Sequence, residues 1–401
     1  MTTNNSSTPL PRLRLAKNAD RRLRGGHLWV FSNEVDNKNT PLRDFKPGQQ
    51  ACVENSQGKL LGTAYVNPNS LICGRLLTRD DQTFGRQQLT ERISAALQLR
   101  QRFFAEPYYR LVFGESDLLP GLVVDRFGAH LVVQLNTAGM DVLRDEVVAA
   151  LIDVMQPQSI LLRNDSGVRT LEGLEQEIIP VHGTPPDYAE LIENGVRFRV
   201  PLGTGQKTGW FYDQRANRAW LKNIVAGRKV LDVFSYVGSF GVQAGVFGAA
   251  SVCCVDSSEQ ALTLARENAE LNGIGDRLTT LHGEAFDKLR ALIADGQRYG
   301  VIITDPPAFI KKKKDLPKGI AAYRRLNELA MRLLEPDGFL IASSCSMHLP
   351  REELLETIRF GAERIGRHAQ LLAEGMQDVD HPVHPAIPET RYLKTMLARV
   401  Q

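Results

Sequence analysis

The C-terminal half of the chain carries apolar runs set between helical stretches. From residue 196 onward the segments KVLDVFS, SVCCVDS, LTTLHGE, VIITDPP and GFLIASSCS succeed one another, with helices such as AAYRRLNELAMRLLEP between them. Runs that are apolar nearly throughout, rather than alternating, belong to strands buried on both faces, and the intervening helices supply the covers. The pattern predicts an α/β domain built on a parallel, doubly wound sheet over residues 196–401. The N-terminal part reads differently. Over residues 1–80, short β-type runs (QACVEN, LLGTAYV, SLICGRLL) are separated by Pro-Gly, Gly-Lys and Asn-Pro-Asn turns, which predicts a small β-rich module. Residues 81–195 mix the helical stretch QQLTERISAALQLRQRFF with strands GLVVDRF and HLVVQLN and a second helix, DVLRDEVVAALIDVM, as a separate central α+β domain. The turn-rich HGTPPDYAELIENG, around Pro185 and Pro186, is the expected joint to the C-terminal domain.

A chain of 401 residues is long for one core, which agrees with this division. The net charge of +3 permits contact with a polyanion without the excess of a histone-like protein. The opening segment RLRLAKNADRRLRGGHLWVFSNEV gathers Arg12, Arg14, Lys17, Arg21, Arg22 and Arg24 ahead of His27 and Trp29. Basic residues beside aromatics suit RNA backbone and stacking contacts, and suit an ordinary solvated surface equally well. No stretch is apolar over the roughly eighteen residues of a membrane span, and MTTNNSSTPLPRL has no apolar core behind its charge, so a cytoplasmic protein with no membrane partner is expected. Cys52, Cys73, Cys253, Cys254 and Cys345 are odd in number and lack paired metal-type spacing, which suggests free thiols in a reducing compartment. His381 and His384 form an HxxH pair flanked by prolines; they are expected as surface loop residues, and no metal is expected.

The segment VLDVFSYVGSFGVQAGVFGAASVCCVDSSEQALTLARENAELNGI reads as strand, glycine-bearing turn, helix, strand ending in an acid, then helix, the order of a nucleotide-type site. Gly238 and Gly241 let backbone approach a ligand at the first strand tip. Asp256, ending the second strand, is suited to accept from both hydroxyls of a ribose. A dinucleotide site expects G-x-G-x-x-G to seat a pyrophosphate on the helix N-terminus, but the turn here is D-V-F-S-Y-V-G-S-F-G. Asp232 at the first strand end would repel phosphate and suits the cationic amino-acid end of S-adenosylmethionine, which is therefore the expected cofactor. Glu284 in LHGEAF ends a third strand and is expected toward the adenine, although Asp is the commoner residue there. Phe234, Ser235, Ser257, Ala285 and Asp305 complete the expected cofactor contacts.

Ligands of an open α/β sheet bind at the carboxyl ends of its strands, so the chemistry is expected at the next two tips, DPPAF and SSCS. An Asp-Pro-Pro turn offers carbonyls and a carboxylate to a flat heterocycle, with Pro306 and Pro307 rigidifying it and removing amide donors. An exocyclic amine acceptor would need nothing more, because it has a lone pair. Carbon 5 of a pyrimidine has none, and a thiolate adding to carbon 6 would activate it. Cys345 is the candidate nucleophile, and Asp305 the group for the cytosine N3/N4 edge. The default for any free cysteine is a small buried hydrophobe, which is the reading for the other four. Lys311, Lys312, Lys313 and Lys314 come directly after DPPAFI and are expected to meet phosphates at the pocket mouth.

The chain resembles the bacterial ribosomal RNA large-subunit methyltransferase I type, cytosine-C5 methyltransferases of 23S rRNA, over nearly its whole length. The matching segments are KNADRRLRGGHLWVFSNEV, QKTGWFYDQRANR, DVFSYVGSFGV, VDSSEQALTLARENAELNG, DPPAF and SCS, in that family's order. The resemblance implies an N-terminal PUA domain, a small central domain and a C-terminal Rossmann-like methyltransferase, with ribosomal RNA as partner. It also implies that residues 207–215 fold over the cofactor, with Tyr212, Gln214 and Arg215 as contacts. Two departures stand out. Ala308 replaces the family's usual lysine after Asp-Pro-Pro, and the second cysteine of other RNA cytosine-C5 methyltransferases is absent, so the C5 proton acceptor is unnamed. A same-fold methyltransferase acting on a guanine nitrogen, and a non-catalytic RNA-binding or assembly factor, are the rival readings. The oligomeric state, a homodimer included, stays open.

Overall fold

The computed structural model describes residues 9–205 and 208–401. These form two compact units. One gathers the described residues up to Asp187, those between Pro201 and Trp210, and the segment Asp380–Thr390; the other holds Tyr188–Val200, Phe211–Val379 and Arg391–Gln401.

The first unit contains two five-stranded sheets. The first is built of β1 (Arg12–Arg14), β2 (Trp29–Val30), β3 (Gln49–Glu54), β4 (Leu60–Val66) and β5 (Gly74–Thr78) in the order β1-β3-β4-β5-β2. Leu13, Val30, Val53, Ala64 and Val66 fill its core. The second orders β6 (Tyr108–Phe113), β7 (Leu122–Phe127), β8 (His130–Leu135), β9 (Ser159–Asn164) and β10 (Glu177–Gly183) as β10-β9-β8-β7-β6. Helices α1 (Arg86–Phe103) and α2 (Arg144–Met155) bury Leu89, Ile93, Val147 and Leu151 in its core.

The segment Asp380–Thr390 is tied to this unit by polar bonds at its start and an apolar anchor further on. Asp380 accepts from the Arg110 amide on β6 at 2.9 Å, its carbonyl accepts from Arg100 at 2.9 Å, and Ile387 enters the core of the first sheet. His381 is consequently no surface residue: it is 2% exposed, its Nδ1 lies 2.7 Å from Asp380, and its ring packs on Phe113. The expected exposed HxxH loop is corrected on this point, and among the described residues no three His, Cys, Asp or Glu side chains gather as a metal set. The N-terminal arginines form ion pairs at the surface and keep their side chains solvent-exposed there. Arg12 and Arg14 pair with Glu54, Arg22 with Glu34 and Arg24 with Asp20, while His27 is buried and Trp29 donates to Glu115. Lys17 and Arg21 are exposed.

The second unit opens with the hairpin β11 (Tyr188–Glu193) and β12 (Val196–Pro201). Asn194 and Gly195 both hold positive φ at its tip, the Asn-Gly chemistry of a tight hairpin turn. The chain passes from the first unit to the second at Tyr188, two residues after Pro186, and the bound drawn between residues 195 and 196 lies within this hairpin. The main sheet comprises β13 (Lys229–Val233), β14 (Ser251–Asp256), β15 (Leu278–His282), β16 (Tyr299–Thr304), β17 (Leu334–Ser344), β18 (Ala369–Gly375) and β19 (Lys394–Val400). Its order is β15-β14-β13-β16-β17-β19-β18; the first five are parallel and β19 runs antiparallel to both neighbours. Helices α3 (Ser239–Val246), α4 (Glu259–Leu271), α5 (Ala285–Ala294), α6 (Leu316–Arg332) and α7 (Arg351–Arg364) alternate with the strands. This is the expected doubly wound α/β arrangement. The strand order reverses on either side of β13, which is the switch point where such sheets leave a crevice. Among the described residues no helix is long and apolar enough to cross a membrane.

Arg100, 1% exposed, forks onto Asp117 at 2.6 and 2.7 Å and also holds the Arg110 and Asp380 carbonyls. Removing one partner of a buried ion pair strands the other, at a cost of about 3–5 kcal/mol. Arg100→Met is therefore expected to destabilise the first unit by about that amount in urea unfolding, and Asp117→Asn, which turns one of two accepting oxygens into a donor and strands the Arg100 charge, by a comparable amount.

Candidate active site

The site begins at the tip of β13. Asp232 is 1% exposed, and its Oδ2 accepts the Gly241 amide at 2.8 Å across the intervening turn. That turn bends hard: Phe234 and Tyr236 have φ of 66° and 49°, in a region that costs a non-glycine residue about 1 to 2 kcal/mol. The strain is held by the Phe234 and Ser235 amides on the Val255 carbonyl and by the Tyr236 amide on Asp256 at 2.9 Å. At Gly241 a Cβ would stand 2.6 Å from Cys254 Sγ and 3.2 Å from Asp232, so only glycine lets α3 approach the strand this closely.

Asp256, at the next tip, has one carboxylate oxygen on the Tyr236 amide and the other on the Ser258 amide at 2.9 Å. Both oxygens keep lone pairs for a further donor. Ser257 beside it is exposed. Glu284 comes after β15, one strand further out, and is exposed, while Ala285 is buried at the start of α5. The three acids thus stand at successive tips of β13, β14 and β15. On the other side of β13, Asp305 comes after β16, half-buried, with Pro306 buried and Pro307 exposed. Burial pushes the Asp232 carboxyl up to about 7; the Gly241 amide works against this, and the Asp305 and Asp256 charges reinforce it. A corner with three crowded carboxylates favours a cationic ligand.

Tyr212, Gln214 and Arg215 lie on the segment that leads into the sheet. Tyr212 is fully buried under the Arg215 guanidinium, 5.2 Å from the ring centre. Arg215 also stands 3.6 Å from Glu193 and 3.7 Å from Asp378. Glu193 itself accepts from Arg218 at 2.6 Å and Gln243 at 2.9 Å, so a buried polar network clamps this segment to the hairpin and α3. Gln214 accepts from Asn217 at 2.7 Å, yet its Nε2 is buried with no partner among the described residues, and Ser235 Oγ has only the Cys254 thiol beside it. Buried donors left over in this way are what a bound small molecule would satisfy. Lys207, the start of the expected cover, lies outside the described residues.

The second half of the site is the pair of neighbouring tips of β16 and β17. Thr304 is in register with Ala342, which sets Asp305 and Cys345 just beyond the ends of adjacent parallel strands. Ser344 and Ser346 are fully buried and turn to Tyr323 on α6: Ser344 donates to its hydroxyl at 2.8 Å, and Ser346 is 3.0 Å from it. Cys345, between them and just past the end of β17, is half-buried. The serines, which in the sequence suggest a polar frame for the cysteine, act as its structural support. Ser346 Oγ also accepts the Ile310 amide at 3.2 Å, which couples the Asp-Pro-Pro loop to the cysteine turn. Phe309 packs on Tyr323 between them. Lys311, Lys312, Lys313 and Lys314 are all exposed on the loop beyond.

Two participants are not evident from the motifs. Tyr323 is one of several polar residues on an amphipathic helix and carries no distinguishing signal. Lys394 opens the strand in YLKTMLARV, opposite Ser344 in register, and is 9% exposed.

A strand-tip acid cluster at the switch point, with strained glycine-bearing backbone and leftover buried donors, has the character that the donor-binding half of a methyltransferase requires. The S-adenosylmethionine-dependent methyltransferase family model matches residues 176–382, and a PUA-like domain model matches residues 13–79. The ribosomal RNA large subunit methyltransferase I of Klebsiella pneumoniae (strain 342) is 36% identical over 397 residues, covering 97% of this chain and 98% of that protein. Its namesake in Shewanella amazonensis is 37% identical, covering 97% of this chain and 99% of that one. The chain belongs to this ribosomal RNA large subunit methyltransferase I family and uses S-adenosylmethionine. A solved structure from Streptococcus mutans, described as a SAM-dependent methyltransferase, shares the fold with a TM-score of 0.82 at 23% identity, covering 97% of this chain and 100% of that one.

The Asp232 burial has a measurable signature. Between 3.8, the ordinary carboxyl value, and about 7, the folded apoprotein holds a proton that the unfolded chain has released, so its stability falls as pH rises through that window and levels off above it. Asp232→Asn is expected to abolish that slope and to make the apoprotein more stable at pH 8, on the order of 4 kcal/mol in urea unfolding, while S-adenosylmethionine binding by calorimetry is lost.

Proposed function

We propose that this chain methylates carbon 5 of a cytosine in 23S ribosomal RNA through a covalent Cys345 adduct. The observation that carries the reading is the half-buried sulfur one strand away from Asp305, at the same sheet edge as the acid corner around Asp232. The name of these family members supplies ribosomal RNA as the substrate class. Asp232, Phe234, Ser235, Gly238 and Gln214 are the residues we assign to the amino-acid side of S-adenosylmethionine, Asp256 and Ser257 to its ribose, and Glu284 and Ala285 to its base. Tyr212 and Arg215 are assigned to shaping that pocket, because Arg215 is engaged with Glu193 and Asp378. Bound there, the cofactor supplies an electrophilic methyl group.

The chain's own residues prepare the acceptor. Asp305 and the rigid Pro306-Pro307 turn receive the N3/N4 edge of the flat base. Cys345 Sγ, as thiolate, forms a bond to carbon 6, and the C5=C6 electron pair turns carbon 5 into the nucleophile. After methylation, loss of the C5 proton returns its electron pair to the C5=C6 bond, and the S–C6 bond breaks to release the thiolate. Lys311 and Lys312, on the exposed loop, are assigned to RNA phosphates, at an energetic worth that falls with salt. An acceptor nitrogen of guanine would need no sulfur, because it has a lone pair of its own.

Cys345→Ala is expected to abolish labelled methyl transfer to ribosomal RNA lacking the modification, while calorimetric binding of S-adenosylmethionine stays within about twofold of the parent. Unchanged turnover would remove the cysteine chemistry and turn the reading to a nitrogen acceptor. Mapping the labelled base identifies it directly.

A further inference from the structure

A thiol beside a carboxylate ionises reluctantly, because two anions would then share one edge of the sheet. Cys345 and Asp305 are in that position at neighbouring strand tips. The reaction assigned to Cys345 requires its thiolate, so a local cation is needed to offset Asp305.

The strand bordering β17 on its far side is β19, and its first residue is Lys394, opposite Ser344 in register. Its side chain is nine-tenths buried, which is uncommon for lysine and costly without partners. The Nζ donates to the Ser346 carbonyl at 2.6 Å, so the ammonium is anchored to the residue directly after Cys345. One bond to a neutral carbonyl leaves most of a buried ammonium's charge uncompensated.

We propose that Lys394 is a positioning residue whose ammonium, anchored on the Ser346 carbonyl, holds the Cys345 sulfur in its thiolate form. This rests on the cysteine chemistry proposed above and deepens it. As the thiolate forms, the thiol proton passes to solvent and Lys394 keeps its own three. The titratable groups on the surrounding elements are Tyr323 on α6, Asp305 at the tip of β16, His348 in the turn after Cys345, and Tyr392 before β19, whose hydroxyl is taken by Asp213. Burial raises the Tyr323 phenol, so it stays neutral and contributes no charge. Burial lowers Lys394 to about 8, and the nearby Cys345 sulfur works against that lowering; at pH 7 the ammonium is still the main form.

The test is the pH profile of iodoacetamide alkylation at Cys345 in the full-length protein, read by peptide mass spectrometry. The expected wild-type midpoint lies below the ordinary thiol value of about 8.5. Lys394→Met is expected to raise that midpoint by about one unit, which is about tenfold slower alkylation at pH 7, and Lys394→Arg to restore it. A wild-type midpoint at or above the ordinary value overturns the proposal, as does one that Lys394→Met leaves unmoved. Should the Met variant fail to bind S-adenosylmethionine and so report misfolding, the wild-type midpoint alone decides. Alkylation needs no RNA, so this result is separate from the fate of the cysteine reading. An active Cys345→Ala enzyme would sink that reading whatever the midpoint, and an unmoved midpoint would sink only the role of Lys394.

Discussion

Asp232 is buried where a carboxylate is destabilising, and the second unit is arranged around that cost. Its counter-charge, Arg218, is already committed to Glu193, and two further carboxylates stand close by. The turn that carries this corner adds backbone strain of its own, with Phe234 and Tyr236 at positive φ. Binding sites commonly hold stability in reserve in this way, since what is lost in the empty protein is recovered when the ligand arrives. A molecule carrying a positive charge at one end answers the corner's deficit better than an anion does, and this separates the site from the phosphate cradles built on the same sheet.

The two halves of the site rest on different physics. The half we assign to the methyl donor depends on backbone: amides of Gly241, Tyr236 and Ser258 orient the acids, and close packing of α3 against β14 and the tip of β13 admits no Cβ at position 241. The acceptor half depends on side chains, with Tyr323 holding both serines and Ser346 holding Ile310. The first is insensitive to most surface changes, whereas the second can be re-tuned by altering one or two residues. A fold that serves many acceptors needs that asymmetry.

Legibility in the amino-acid order depends on distance along the chain. Features carried by neighbouring residues are readable from it: the apolar strands, the tip acids Asp232, Asp256 and Glu284, the Asp-Pro-Pro turn and the cysteine between two serines. Features that depend on remote partners are not. His381 has the look of a surface residue because its cover, Phe113, is distant in sequence, and the ion partners of the exposed arginines near the N-terminus, Glu54 and Glu34, belong to other elements. Asn194 and Gly195 are legible in principle, since Asn-Gly between strand-like runs marks a hairpin. Lys394 belongs with the remote features: only the pairing of β19 with β17 brings it to the cysteine.

The segment Asp380–Thr390 leaves the second unit, contributes Ile387 to the core of the first, and the chain then goes back to lay down β19. Gene shuffling cuts and splices at single points, and no single splice in this gene yields an intact N-terminal module or an intact catalytic one. Each would lack a piece encoded beyond the break. Lineages carrying this arrangement are therefore constrained to diversify by point substitution, with their two parts inherited as one unit.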